Sequence, residues 1–242
     1  MPDNEIGSLN IAVLQTGRAM AEDRPRHGDY DDMCKALIGR APDEADTYAV
    51  LDGEFPKSIE PYDAFVVTGS AHGAYEDHDW IPPLEALIRE AYDKKVKLIG
   101  ICFGHQIIAQ ALGGRVEKSD KGFGVGAMDY ELVNLGALSQ SISLYAWHQD
   151  QIVHAPEGAE VIARSDFCPI AGLRYGDRAI TFQAHPEFTA DYMRALADAR
   201  RNTTISGALA DQAIASLNKP VDAGLIKVIL ADFLAGKDKG SA

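Results

Sequence analysis

The sequence has few of the features that mark secreted or membrane-spanning proteins. Its three cysteines are an odd number that suggests no disulfide framework, which favours a reducing compartment. The first residues are acidic and lack the basic-then-apolar profile of a signal peptide. The richest apolar stretch, residues 96–112, is interrupted by polar side chains and is too short to cross a bilayer. We therefore expect a cytoplasmic protein that does not enter a membrane.

The chain also has too few basic residues for a general nucleic-acid or anionic-membrane surface. It contains 23 Lys and Arg against 36 Asp and Glu in 242 residues, a formal net charge of −13. Such a charge opposes binding to phosphate backbones and acidic headgroups. The sequence has no repeat, low-complexity segment or long linker, so we expect one domain over residues 1–242, with a core over about 9–188 and a helical tail over about 189–242.

Short apolar runs alternate with amphipathic stretches in the first half of the sequence. The runs that predict buried strands are residues 9–14, 49–51, 64–68 and 96–101, and the helical stretches are 30–38, 82–95 and 106–112. This alternation predicts an α/β fold with a mainly parallel central sheet. After Gly114 closely spaced strands at 127–133, 161–164, 170–175 and 179–183 predict an antiparallel region, and helices follow from residue 189.

Cys102 lies where an apolar strand is expected to run into a helix, between Gly100 and Gly104. Glycines on both sides relieve the crowding around a nucleophile on a sharp turn. A thiol at a helix N-terminus also meets the positive end of the helix dipole, which favours the thiolate. A lone cysteine can instead be a small buried hydrophobe, which is the simplest interpretation of Cys34 and Cys168. The turn by itself leaves both interpretations of Cys102 open.

A nucleophilic cysteine needs a base, and the base needs an orienting group. His185 is expected to end a strand, because Pro186 cannot continue the ladder. Glu187 lies two positions further on, so in extended backbone its side chain shares a face with that of His185. The carboxylate could then hold one imidazole nitrogen while the other points at Cys102. Each residue alone fits a structural role, but the three together predict a Cys-His-Glu triad.

An acyl-transfer site also needs N–H donors for the oxyanion. The amide of Phe103, which directly follows Cys102, is one candidate. The turn at Gly69 and Ser70 closes a neighbouring parallel strand and should open on the same carboxyl edge of the sheet, where such folds keep their sites. A simple strand-terminating turn fits Gly69 and Ser70 equally well.

Three segments resemble the signatures of class I, triad-type glutamine amidotransferases. Residues 100–106 (GICFGHQ) match G-x-C-x-G-x-Q, residues 183–187 (QAHPE) match Q-x-H-P-E, and residues 145–150 (YAWHQD) resemble the W-x-x-H-x-D-type stretch between them. The resemblance covers about residues 9–188 and is strongest to stand-alone members related to the glutaminase domain of guanylate synthetase, which include γ-glutamyl peptidases. It implies a flavodoxin-like fold, with the sheet flanked by helices.

The resemblance also implies roles for the catalytic residues. Cys102 would attack the γ-carbonyl of glutamine or a γ-glutamyl compound and form a γ-glutamyl thioester. His185 would protonate the departing ammonia or amine and then activate water, with Glu187 orienting it. Phe103 and the Gly69–Ser70 peptide would form the oxyanion hole.

The amino-acid end of the substrate would meet a pocket lined by Gln106 and by a loop near Trp147 and His148. The sequence departs from the family pattern at residues 68–72, where TGSAH stands in place of the S-G-G-P-x-S of synthetase-fused members. The family pattern therefore supports the assignment of Ser70 to the oxyanion hole less strongly than that of Phe103.

Several functions stay open at this point. The chain could hydrolyse a small γ-glutamyl substrate by itself, or it could pass ammonia to a separate synthase, because no nucleotide-binding glycine loop is present in it. A non-catalytic binding module with the same fold is a third interpretation. An α/β-hydrolase is disfavoured, because its order of nucleophile, acid and histidine differs from the order of His185 before Glu187.

We expect no metal and no cofactor. His72 and His78, or His148 and His154, lack a matching constellation of further ligands, so residues 72–78 are interpreted as a polar loop over the site. The tail beyond residue 201 carries no family motif and could cap the sheet or contact another copy in an oligomer.

Overall fold

The computed structural model describes residues 9–237. Its strands are β1 (Ile11–Leu14), β2 (Asp46–Tyr48), β3 (Ala64–Val67), β4 (Lys97–Ile101), β5 (Arg115–Lys118), β6 (Gly124–Leu132), β7 (Ser141–His148), β8 (Asp150–His154), β9 (Glu160–Arg164), β10 (Gly172–Tyr175) and β11 (Ala179–Phe182). Its α-helices are α1 (Arg24–His27), α2 (Tyr30–Leu37), α3 (Ile81–Asp93), α4 (Phe103–Ala111), α5 (Ala190–Arg200), α6 (Gly207–Ser216) and α7 (Ala223–Leu234).

Nine strands form one sheet in the order β2-β1-β3-β4-β11-β10-β9-β6-β7, and β5 pairs with β8 in a separate ribbon. The first five strands of that order are parallel, and the pairings from β11 to β7 are antiparallel. The predicted α/β fold, with a parallel centre and an additional antiparallel region, is confirmed. The antiparallel strands continue the same sheet, because β11 pairs with β4 on one side and β10 on the other.

The parallel strands are covered on both faces, which explains their unbroken apolar runs. Along β1, Ile11 and Val13 belong to one buried cluster and Ala12 and Leu14 to the other, as the period-2 alternation of a strand requires. Helices α2 and α7 pack on the first face, and α3 and α4 pack on the second. Helix α7 of the tail therefore covers one face of the sheet, which is one of the two roles expected for the tail.

The helix boundaries follow local signals in the sequence. Asp29 caps α2, because its side chain accepts a hydrogen bond from the amide of Tyr30, the first residue of the helix. The Asp32 carboxylate in turn accepts a hydrogen bond from the Asp29 amide, which completes a capping box. Thr189 and Ser206 cap α5 and α6, and each side chain accepts a hydrogen bond from the amide three residues further on. None of the helices formed by residues 9–237 is long and apolar enough to span a membrane.

The expected strand at residues 49–51 is wrong. Residues Val50–Asp52 form a 3₁₀ turn, and the strand that pairs with β1 is β2, three residues earlier. Val50 is buried, so the apolar run reflects burial of a turn against the core. An apolar run this short carries no periodicity that separates a strand from a buried turn.

Strands β5, β7 and β8 were not expected from the sequence, and they correct the proposed loop near Trp147 and His148. Both residues lie at the end of β7, in register with Val125 and Gly124 of β6. Apolar and polar residues alternate only over residues 141–144, and the run at 145–147 is apolar throughout because nearly all of β7 is buried.

Candidate active site

Cys102 sits at the turn between β4 and α4, where the carboxyl ends of the parallel strands meet. Its φ is +53°, a left-handed conformation that is uncommon for a residue with a side chain and recurs at functional sites. The turn is held by backbone hydrogen bonds on both sides. The amide of Cys102 donates to the Phe182 carbonyl at 2.8 Å, and the amide of Gly104 donates to the Thr68 carbonyl at 3.1 Å.

The two glycines around Cys102 are required by close backbone packing. A Cβ at Gly100 would lie 2.5 Å from the Gly104 carbonyl oxygen, and a Cβ at Gly104 would lie 2.2 Å from the Val67 carbonyl oxygen. Both distances are well inside van der Waals contact. The glycines therefore let α4 start directly against β3 and β4, with Cys102 at its N-cap position.

His185 and Glu187 form a buried pair in the segment after β11. Nδ1 of His185 lies 2.7 Å from Oε1 of Glu187, and the two side chains are 4% and 3% exposed. The His185 amide donates to the Tyr145 carbonyl at 2.8 Å, which fixes its backbone, and the ring of Phe188 stacks on the imidazole at 4.1 Å between centroids. These contacts hold the ring in one orientation.

The electrostatics of the pair favour the imidazolium. Burial lowers the pKa of His185, but interactions with the Glu187 carboxylate and then with Cys102 raise it by more, so the net pKa lies well above its ordinary value.

The His185 ring and the Cys102 thiol lie on either side of Gly69, because a Cβ at Gly69 would lie 3.2 Å from Cε1 of His185 and 3.8 Å from Cβ of Cys102. The structure thus brings together all three residues of the predicted triad.

The Gly69–Ser70 peptide lies against this pair in a fixed orientation. The Gly69 carbonyl accepts from the hydroxyls of Thr16 and Thr68, each at 3.1 Å. Because the C=O and N–H of a trans peptide point in opposite directions, the Ser70 N–H faces away from these hydroxyls. The amide of Phe103 belongs to the first turn of α4, where an N–H has no acceptor within the helix.

The three predicted substrate-binding residues line the same cleft. Side-chain Nε2 of Gln106 donates to the Asp150 carbonyl at 2.9 Å and to Oε1 of Gln183 at 3.1 Å, so this side chain also holds the site together.

Burial, with the nearby charge of His185, lowers the pKa of His148 to about 3, so its imidazole is neutral. The Trp147 carbonyl lies 3.9 Å from Sγ of Cys102.

Gln183, Tyr30 and Phe188 belong to the site but had no role assigned from the sequence. Nε2 of Gln183 donates a hydrogen bond to Sγ of Cys102 at 3.6 Å. Gln183 stands in the second signature and Phe188 directly follows it, so a signal for both was present. Tyr30 packs 5.8 Å from Phe188 between ring centroids, and it had no local signal because 158 residues separate the two.

The cleft above Cys102 has a volume of about 330 Å³. Aromatic side chains and groups of both charges line it. The charged residues are Arg18, Glu76, Lys118, Asp150 and Arg200. A small molecule with both an ammonium and a carboxylate group therefore meets complementary charges at the wall of the cleft.

A comparison with models of known protein families assigns this chain to one of them. The family model for glutamine amidotransferase class-I matches residues 49–196, so the chain belongs to that family.

Two named relatives and one solved structure show the range of the similarity. Gamma-glutamyl peptidase 5 of Arabidopsis thaliana is 30% identical over 226 residues, covering 88% of this chain and 90% of the relative. GMP synthase [glutamine-hydrolyzing] of Burkholderia cenocepacia is 30% identical over 66% of this chain and 32% of its own length. A crystal structure of a glutamine amidotransferase from Methylobacillus flagellatus superimposes with a TM-score of 0.73 at 24% identity, covering 94% and 93% of the two chains, which shows the shared fold.

Proposed function

We propose that the chain hydrolyses the γ-amide bond of a small γ-glutamyl compound through a γ-glutamyl thioester on Cys102. The observation that carries this proposal is the buried His185–Glu187 pair, 2.7 Å apart, placed beside a cysteine in a strained strand-to-helix turn. A packing role alone would be met by apolar side chains, because even a paired buried charge has a desolvation cost. The full-length similarity to a gamma-glutamyl peptidase supports the same class of substrate.

In the acylation half of the proposed reaction, the Cys102 thiolate attacks the γ-carbonyl carbon and the carbonyl π electrons move onto oxygen. The oxyanion accepts hydrogen bonds from the amides of Phe103 and Ser70. His185, held as imidazolium by Glu187, gives its Nε2 proton to the departing nitrogen as the C–N bond breaks. The amine or ammonia leaves, and the γ-glutamyl thioester stays on the enzyme.

In the deacylation half, the now neutral imidazole of His185 takes a proton from a water molecule. The resulting hydroxide attacks the thioester carbon, the same amides stabilise the second oxyanion, and the C–S bond breaks to release glutamate. Glu187 orients the ring in both halves and stabilises the imidazolium each time it forms. Gln183 supports the thiolate that departs, through its contact with Sγ of Cys102.

A glutaminase subunit that passes ammonia to a separate synthase is the second candidate. The observation that favours it is the match to one third of a GMP synthase, a protein longer than this chain. The two candidates share the chemistry at Cys102 and differ in the leaving group and in where it goes.

The deciding experiment measures glutamate release from the purified chain with L-glutamine, a panel of γ-glutamyl dipeptides and glutathione. Cys102→Ser is the matched control, and intact mass after rapid quenching detects the acyl-enzyme. We expect turnover of a peptide in preference to glutamine, and a mass increase of one γ-glutamyl group in the unmodified protein. Weak glutaminase activity with inert peptides would favour the subunit, and no turnover of any substrate that depends on Cys102 would refute both.

A further inference from the structure

We propose that His72, Glu76 and His78 form a divalent-metal site of the zinc class at the mouth of the cleft, and that an ion bound there inhibits hydrolysis. All three residues lie in the loop between β3 and α3. Their ligand atoms all lie within 4.8 Å of one another. Oε2 of Glu76 lies 3.3 Å from Nδ1 of His72 and 2.8 Å from Nε2 of His78.

These separations suit a tetrahedral ion. Ligand atoms about 2.0–2.2 Å from zinc lie roughly 3.3 Å apart in a tetrahedron, so small side-chain rotations bring all three into place. Two imidazoles and one carboxylate also favour zinc, cobalt or nickel over magnesium and calcium, which prefer oxygen ligands. The fourth position is left for water. Imidazole nitrogens bind a metal through a free lone pair, so each histidine offers one ring nitrogen to the ion.

The third ligand explains why the sequence alone favoured a plain polar loop. His72 and His78 form only a pair, and Glu76 joins them through a turn in which its amide donates to the Gly73 carbonyl at 3.0 Å. That turn places the carboxylate between the two imidazoles. All three side chains are one-third exposed or more, so an ion can reach them from solvent.

The loop is connected to both proposed oxyanion donors. The His72 amide donates to Oγ of Ser70 at 3.2 Å. On the other side, the ring of His78 stacks on Trp80 at 5.9 Å between centroids, and Trp80 packs 5.5 Å from Phe103. His72 also lines the cleft itself. An ion held here therefore occupies the mouth and ties the two sides of the loop together, which hinders the entry of substrate.

Metal binding is tested separately from catalysis, in the full chain carrying Cys102→Ser and no histidine tag. Co²⁺ is titrated while visible absorption is recorded, and Zn²⁺ is then added in competition. We expect one equivalent of tetrahedral Co²⁺, displaced by Zn²⁺, with affinity reduced at least tenfold by His72→Ala or His78→Ala and unchanged by His154→Ala on the exposed part of β8. Equal binding by the double variant of His72 and His78 would refute the site.

The inhibitory role rests on the proposed function, so its test uses the hydrolytic assay. Enzyme freed of metal with EDTA is assayed across Zn²⁺ concentrations, each variant being compared with its own metal-free rate. We expect the double variant of His72 and His78 to need at least tenfold more Zn²⁺ for half-inhibition. Equal sensitivity would show that the inhibitory ion binds elsewhere and would overturn this role. If no hydrolysis is found at all, the Co²⁺ titration still decides whether the site exists.

Discussion

The nucleophile turn and the loop over the cleft meet in one site but are held in different ways. Cys102 is 5% exposed, and backbone atoms of neighbouring strands pack directly on the glycines beside it. Tyr75, in the loop, is 47% exposed, and its hydroxyl donates to Oδ1 of Asp150 at 3.1 Å. Packed backbone fixes the reacting atoms, whereas exposed side-chain hydrogen bonds hold the mouth. The positions of the reacting atoms therefore depend on the fold, whereas access to them depends on a few polar contacts.

The largest expected effect is that of removing the nucleophile. Cys102→Ser should reduce kcat/KM by more than about 10⁴-fold, because the serine hydroxyl is not ionised by the same base. The fold should be retained, since the substitution replaces one small buried atom. Glutamate release and the midpoint of urea unfolding measure the two effects. A variant that keeps a tenth of the activity would show that another residue carries the reaction.

Glu187→Gln should lower kcat/KM by about 10³-fold, because the imidazolium of His185 loses its counter-charge. The same change tests stability against pH. The pKa of His185 is raised from 6.5 to about 10 in the folded protein, so the stabilisation is complete below pH 6.5 and is lost as the pH rises towards 10.

The difference in unfolding free energy between the unmodified chain and this variant should therefore be larger at pH 6.5 than at pH 10. Urea unfolding at several pH values measures it. Glu117→Gln is the control, because that carboxylate is paired with Arg115 at an exposed position. A difference that does not change with pH would show that Glu187 acts on packing alone.

A methyl group placed in the tightly packed nucleophile turn should destabilise the fold. Gly104→Ala puts a Cβ 2.2 Å from the Val67 carbonyl oxygen, and we expect a loss of about 3 kcal/mol in unfolding free energy. Gly224→Ala, in α7, is the matched control because its Cβ would meet open space. Urea unfolding of both variants measures the difference. Similar midpoints would mean that the turn relaxes at little cost.

The smallest effect on stability and activity is expected in the exposed loop over the cleft. Tyr75→Phe removes the hydrogen bond to Asp150 and should cost about 1 kcal/mol or less in stability. Because the aromatic ring stays in the cleft wall, kcat/KM should change only a few-fold. Steady-state kinetics of Tyr75→Phe and Gly104→Ala, measured in parallel, compares the two values of kcat/KM. A hundredfold loss would show that the loop helps to fix the reacting atoms.

The main elements were predictable from the sequence where burial and local caps act together. The four-residue runs of β1 and β3 are fully buried, and the capped helix α2 falls within one residue of its expected bounds. Strand β7 was missed because its alternation covers only residues 141–144 and the apolar run after it shows no period, and the run at residues 49–51 was too short to show one. The predicted bounds of strands were wrong where an apolar run without periodicity was the sole evidence.

The candidate site divides in the same way. Cys102, His185 and Glu187 could be proposed from two short motifs, because residue type and local backbone already restrict their chemistry. Their meeting depends on the parallel pairing of β4 with β11, which sets the end of one strand beside the end of the other. No local pattern contains that distance.

The residue types, the glycines around the nucleophile and the capped helices can be inferred from the amino-acid sequence, since they follow from local sterics and hydrogen bonding. Folding is needed to bring Gln183 to the thiol, Tyr30 to the catalytic segment and Glu76 between two histidines. Contacts between residues far apart in the chain depend on strand order and helix packing. The turn at Glu76 depends on backbone angles that residue type alone leaves free.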